Sequence, residues 1–428
     1  MNTATSAAGR DGGLQPRDVR TLFLASLGGA LEFYDFVVFV FFTAVIARVF
    51  FPPGMPEWLA LAQTWGLFAA GYLARPLGGF VMAHFGDLVG RKRMFVLSVF
   101  LMAVPTLLIG LMPVYATLGY AAPVLLLVLR ILQGAAIGGE APGAWVFVAE
   151  HVPQGRVGLA CGMLTGGLTL GILLGALMAL LVNAIFDPVE LVGWAWRVPF
   201  LAGGAFGLVA MYLRRFLEET PVFEAMRERA ELSRGLPLGR VLAGHKRAAI
   251  LSFLGSWMLT AAIVVLILQA PTLLTKLHPE LAPAMPLASV AATLALTLAA
   301  VGFGWALDRF GQPAVMAVAA VGLVAAAFAL FGGAAVRPDL LVPIYALAGL
   351  AVGAVTIVPT MMVRAFPADV RFSGVSFAYN TAYAVFGAAT PPLTAYLARL
   401  TPLGPAFYVA AATLVGAAAV LVAGRTRP

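Results

Sequence analysis

The chain of 428 residues is 61% hydrophobic and only 11% charged, with a mean hydropathy of +0.96. A water-soluble domain carries about 25% charged residues to clothe its surface; this composition excludes one and points to lipid as the solvent, in keeping with the 46 glycines. The net charge of +8 does not mark a nucleic-acid surface, because the basic residues are dispersed among short polar segments, and a single cysteine, Cys161, excludes an intrachain disulfide.

The first twenty residues are polar and contain Arg10, Arg17 and Arg20. The apolar run that follows, from about Leu22 to Val49, exceeds the ~7–15 residues of a cleaved signal core and is expected to stay as the first helix. Apolar runs separated by Pro, Gly and charge clusters predict further helices over 58–84, 93–113, 119–150, 157–186, 193–216, 246–275, 285–307, 312–334, 339–365, 371–399 and 402–424. At about 20 residues per crossing these make an all-α integral membrane protein of about twelve spans. The expected organisation is an N-terminal segment (1–20), a six-helix half (21–216), a charged linker (217–245) and a second six-helix half with a short tail (246–428). Of the 27 Lys and Arg residues, 20 fall in segments on the side of the termini and five on the other. This bias predicts cytoplasmic termini, and the expected location is a bacterial inner (plasma) membrane.

The halves echo one another. Gly86-Asp87-Leu88-Val89-Gly90 follows the second helix, and Asp308-Arg309-Phe310-Gly311 follows the eighth with the same Asp-x-x-Gly spacing. Glu150 to Arg156 closes the fourth helix as Arg364 to Arg371 closes the tenth. Glycine permits the tight turn, and Asp87 stands where a carboxylate can meet a neighbouring helix N-terminus or an arginine. Asp87, Gly90, Arg91 and Asp308 are therefore candidates for a cytoplasmic gate. Gln312-Pro313 replaces the basic residues that follow the first copy, so the second latch is expected to be the weaker.

Five charges fall inside predicted helices: Glu32, Asp35, Arg75, Arg130 and Glu140. Each costs roughly 2.5–3.5 kcal/mol at a helix centre, so they must pair, face a wet cavity or titrate. Glu32 and Asp35 are three apart and share a helix face, where two carboxylates compete for a proton. Arg130 is their natural counter-ion. All five lie in the first half, which assigns proton handling there (Asp35, Glu32, Arg130, Glu140) and leaves shape and hydrogen bonding to the second. The candidate substrate contacts are Arg75, Gln133, Tyr34, Gln269, Tyr379, Asn380 and Tyr383. Tyr379 and Asn380 are adjacent, so at most one is expected to point inward. On the fifth helix Gly162, Gly166, Gly167, Gly171 and Gly175 predict close helix contact.

The segment Gly86-Asp87-Leu88-Val89-Gly90-Arg91-Lys92-Arg93 resembles the signature loop of the major facilitator superfamily. Gly29–Phe36, Arg75-Pro76-Leu77-Gly78-Gly79 with His84, Arg130–Gly134 with Gly138-Gly139-Glu140, Trp194–Phe200, Glu218-Glu219-Thr220-Pro221 and Arg371–Asn380 are similar to the metabolite:proton symporters of that superfamily. The resemblance runs nearly end to end. It implies a secondary transporter importing a small polar metabolite with protons, an organic acid being favoured over a zwitterion, with Arg130 associated with coupling. An exporter of the same fold, or a non-transporting membrane sensor, is the alternative. No Walker loop, Cys/His cluster or nucleophile elbow is present, so neither enzyme activity nor a metal or other cofactor is expected. The expected partners are substrate, protons and lipid, with no nucleic acid, and the chain is expected to be a monomer.

Overall fold

The computed structural model describes residues 14–89, 91–214 and 237–425, with side chains except at 83–96, 214, 237–238 and 425. The described residues form twelve long helices and no strand. In the first half these are α1 (Pro16–Phe41, continued by Thr43–Phe50), α2 (Glu57–Val89), α3 (Arg91–Leu111), α4 (Ala121–His151), α5 (Val157–Ile185) and α6 (Arg197–Arg214). The second half comprises α7 (Lys246–Leu277), α8 (Met285–Phe310), α9 (Gln312–Val336), α10 (Pro338–Ala365), α11 (371–400) and α12 (Gly404–Arg425). Eight are long and apolar enough to cross a membrane, or nine when the bent pair leading into α6 is taken as one span. Polar content sets α2 and α11 apart, as α2 carries Gln63, Thr64 and Arg75 and α11 is rich in Ser, Thr, Tyr and Asn, while α3 offers a shorter apolar stretch, Leu97–Leu111.

The helix over the signature segment differs from expectation. α2 runs on to Val89 and α3 begins at Arg91, so the segment is largely helical backbone. The side chains of His84, Asp87 and Arg91, and all of Gly90, lie outside the described residues, as does most of the linker.

Consecutive helices alternate direction, which brings the start of α1 and the end of α12 to one end of the bundle, here called the terminal end. Gln312 at the start of α9 donates to the carbonyl of Val420 near the end of α12 (2.9 Å). Between the halves, α5 packs along α8 and α2 along α11.

Glycine sets two of these contacts. The glycines of α5 divide into two faces. Gly158, Gly162 and Gly166 meet Gly304, Ala300 and Thr297 of α8, and Gly167, Gly171 and Gly175 meet Ser26, Ala30 and Phe41 of α1. Inside the first half, Gly134 and Gly138 of α4 lie against the backbone of Gly71 and Arg75 on α2, while Gly78 lies against Ala135. A methyl at Gly78, Gly134 or Gly138 would enter that backbone, so α2 and α4 touch main chain to main chain.

Candidate functional site

Arg75 sits on α2 where the halves meet and is 1% exposed. Its guanidinium lies over the rings of Tyr383 (4.2 Å), Tyr379 (5.2 Å) and Tyr72 (5.4 Å). Trp145 of α4 closes the cage edge-on to Tyr379 at 4.9 Å. Nε and Nη2 have no hydrogen-bond partner among the described residues. Desolvated cation–π contacts contribute about 2 kcal/mol, which offsets much of the cost of placing an arginine at this depth. The rings supply no acceptor for the fork, so the guanidinium keeps two N–H directions for a carboxylate. Tyr383 opens a π-helical segment, Tyr383–Gly387, in α11. The irregularity turns this stretch of α11 toward α2, and such segments often mark functional sites.

Of the cage, sequence reading found Arg75, Tyr379 and Tyr383 and missed Tyr72 and Trp145. Tyr72 was within reach, because it stands three residues before Arg75 and so on the same helix face. The expectation that only one of Tyr379 and Asn380 points inward is corrected. Tyr379 joins the cage, and Asn380 donates to the carbonyl of Gly138 on α4 (2.5 Å) and to Ser376 Oγ (3.1 Å). Two neighbours 100° apart on a helix can both meet α2 and α4 when those helices present so little side chain.

Arg130 of α4 is fully buried and takes a second aromatic cage, with Phe39, Phe36 and Phe68 at 4.4, 4.5 and 5.5 Å. Tyr72 is the partition between the cages, 4.7 Å from Phe68 and 5.3 Å from Tyr383. Arg130 Nη1 donates to Gln133 Oε1 (2.9 Å) and to the carbonyl of Phe36 (3.3 Å), and Gln133 Nε2 donates to Thr106 Oγ1 (2.7 Å). The expected Arg130–Asp35 ion pair is absent. Asp35 is fully buried against α3 and α6, and neither carboxylate oxygen has a hydrogen-bond partner among the described residues. It fits because α6 has glycines there: a Cβ on Gly203 would stand 2.6 Å from Asp35 Oδ1 and 2.8 Å from Thr106 Cγ2. Asp35 thus abuts the end of the Arg130–Gln133–Thr106 chain without entering it. Glu32 and Glu140 are buried as well, at 2% and 4%.

Three candidate substrate contacts have other commitments. Tyr34 donates its hydroxyl to the carbonyl of Pro199 (2.8 Å) inside the first half. Gln133 serves the internal chain just described. Gln269 donates to the carbonyl of Pro391 (2.9 Å) and accepts from Thr394 (2.6 Å), tying α7 to α11. Gln269 also lines a cavity of about 710 Å³ at the end away from the termini, whose walls include Trp58, Trp65, Lys276 and Arg399. Ala69 and Ala388 reach its inner end. Ala69 lies one helical turn from Tyr72, and Gly387, next to Ala388, packs on the Tyr72 ring. The cavity therefore leads to the tyrosines that cover Arg75.

The terminal end is closed by polar links between the halves. Asp308 accepts from the backbone N–H groups of Gly158 (2.8 Å) and Leu159 (2.7 Å) in the first turn of α5, and pairs with Arg364 (3.1 Å). Arg156, the N-cap residue of α5, makes no side-chain cap bond. A carboxylate from the other half does that work, favoured by the helix dipole. The expected weakness of the second latch relative to the first falls outside the described residues, because the side chains of Asp87 and Arg91 are not among them; in the second copy the α5 backbone and Arg364 hold the carboxylate in place of the missing basic residues. Nearby, Arg371 of α11 pairs with Glu150 of α4 (3.2 Å).

Two helical halves enclosing buried charges, with a cavity at one end and polar links at the other, have the architecture of a secondary transporter. The family model described as sugar (and other) transporter matches residues 21–237. The citrate-proton symporter of Klebsiella pneumoniae is 32% identical over 408 residues, covering 91% of this chain and 88% of that protein. The proline/betaine transporter of Salmonella typhimurium is 30% identical over 414 residues, covering 93% and 81%. Among solved structures, the major facilitator superfamily proton:xylose symporter XylE bound to 6-bromo-6-deoxy-D-glucose superposes with a TM-score of 0.77 at 18% identity, covering 96% of each chain. The chain belongs to the major facilitator superfamily, among its metabolite:proton symporters, and is a transporter rather than an enzyme.

Proposed function

We propose that this protein imports a small organic anion together with a proton across a bacterial inner membrane, its termini in the cytoplasm. The observation that carries the reading is Arg75: a buried guanidinium at the junction of the halves, with Nε and Nη2 unbonded, behind a cavity open toward the other end. A substrate carboxylate completes that fork. Asp35 carries the proton: it is a fully buried carboxyl whose two oxygens have no hydrogen-bond partner among the described residues, beside the Arg130–Gln133–Thr106 chain. The Arg130–Gln133–Thr106 chain relates its state to α4, and α4 is joined backbone to backbone with the α2 segment that bears Arg75. Rocking of the halves breaks the Asp308 and Glu150 links and opens the terminal end. One proton moving down ~150 mV supplies about 3.5 kcal/mol, enough for a gradient of a few hundredfold. The excess of Lys and Arg at the terminal end supports the orientation.

A second reading is a zwitterionic osmolyte, favoured by the proline/betaine relative and by the aromatic walls, since tyrosine and tryptophan faces receive alkylated ammonium groups. Arg75 already occupies the cage, which favours the anion. The test is uptake into proteoliposomes under an inward proton gradient, with di- and tricarboxylates set against betaines. Concentrative uptake of an acid is expected. Arg75→Gln raises its KM by about 10- to 150-fold, the loss of 1.5–3 kcal/mol of charged hydrogen bonding. Preferential betaine uptake overturns the anion in favour of the zwitterion, and substrate loss under the gradient overturns import.

A further inference from the structure

A second polar cavity, of about 340 Å³, opens at the terminal end inside the second half, away from the Arg75 cage and the Asp35 pocket. His245, Arg247, Ser252, Gln312 and Arg364 contribute to its wall. Three independent features aim at it. The first is the N-terminus of α7. The opening N–H groups of a 32-residue helix have no intrahelical partner, and His245 at the N-cap position makes no side-chain bond to them. The second is a pair of guanidiniums, Arg247 from α7 and Arg364 from α10, with no carboxylate in the lining. The third is a pair of buried polar atoms without partners. Ser252 is fully buried with Oγ unbonded, and Gln312 is 5% exposed with Oε1 unbonded, its amide nitrogen being held by the Val420 carbonyl.

Helix N–H groups, two guanidiniums and a hydroxyl suit a compact, highly charged oxyanion. Gln312 Oε1 asks in addition for a donor, which a carboxylate lacks and a protonated phosphate oxygen or the hydroxyl of a phosphate ester supplies. We propose that this cavity is a phosphate-binding site, reached from the side of the termini and separate from the transport path. It accepts the phosphate of either a soluble ester or an anionic lipid headgroup. Arg364 also pairs with Asp308, and a neighbouring cavity of about 500 Å³ shares Arg364 and Gln312, so an occupied site touches the latch between the halves. A bound phosphate draws on the same guanidinium as Asp308, and so acts on the carboxylate that caps α5 from the other half.

The test uses the full-length protein. Thermal unfolding in detergent is followed with inorganic phosphate or glycerol 3-phosphate at constant ionic strength, and in nanodiscs of phosphatidylglycerol against phosphatidylcholine. Saturable stabilisation by phosphate or its ester, weakened at least about tenfold in Arg247→Gln and in Ser252→Ala, identifies a soluble ligand. Stabilisation confined to phosphatidylglycerol and lost in both variants identifies the lipid headgroup. Basal uptake is unchanged in both, because neither residue lies in the transport path. The proposal is overturned if no phosphate source stabilises the wild type, or if both variants respond as it does.

Discussion

Replacing Asp308 by Asn probes the closed terminal end directly. The carboxylate accepts two backbone N–H bonds at 2.7–2.8 Å and one arginine bond at 3.1 Å, with its side chain 6% exposed. Asparagine keeps one neutral acceptor and turns an amide NH₂ toward a donor. Charged hydrogen bonds contribute about 1.5–3 kcal/mol each and a helix cap about 0.5–2, so with part of the set retained the loss is about 2–4 kcal/mol. Most of it falls on the closed state, since the two backbone N–H bonds join different halves, whereas the Arg364 bond lies within the second half. At 1.4 kcal/mol per tenfold, the population open at the terminal end rises by about 30- to 700-fold. The chain carries its own reporter. Cys161 is its single cysteine, fully buried on α5 beside Thr360, with Asp308 and Arg364 nearby. Alkylation of Cys161 by a membrane-permeant maleimide reads the open fraction, and Asp308→Asn accelerates it by at least about tenfold. Asp339→Asn, which removes an exposed pair with Arg337 at the other end, is the control and leaves the rate unchanged. Equal alkylation rates for wild type and Asp308→Asn refute the latch.

Two further substitutions separate coupling from folding. Asp35→Asn abolishes proton-driven accumulation while substrate exchange across the membrane persists; accumulation at the wild-type level removes Asp35 from the mechanism. Gly138→Ala places a methyl against the Arg75 carbonyl and is expected to prevent recovery of monodisperse protein, whereas Gly322→Ala on α9, with nothing within 4 Å, leaves the melting temperature within about 2 °C. Similar behaviour of the two glycine variants overturns the close α2–α4 contact.

Much of the fold was legible because membrane insertion constrains it so strongly: apolar runs mark helices, and the Asp-x-x-Gly and Glu–Arg echoes mark the halves. Burial of the charged residues was legible for the same reason, as a charge amid apolar sequence has nowhere to go but inward. Their partners were not. Arg130 and Asp35 suggested a pair, but the arginine finds a glutamine, a carbonyl and three rings, and a cation–π surface leaves no charge signature in sequence. Asn380 was misjudged because helical spacing gives its direction but not how closely Gly138 lets α4 approach. Asp308 was judged by the residues that follow it, although its partners, Gly158, Leu159 and Arg364, lie about 150 and 56 positions away.

The glycine contacts have opposite mechanical consequences. Between α2 and α4 the mutual approach of main chain to main chain lies within one half, so it is expected to act as a weld that holds Arg75 and Arg130 at a fixed spacing. Between α5 and α8 the facing glycines lie across the halves, where mostly small groups meet: Gly162 faces Gly304 and Ala300, and Gly166 faces Val301. That joint behaves as a bearing. The polar catch at its end, Asp308 on the first turn of α5, is then the main obstacle expected to sliding along about 39 Å of helix.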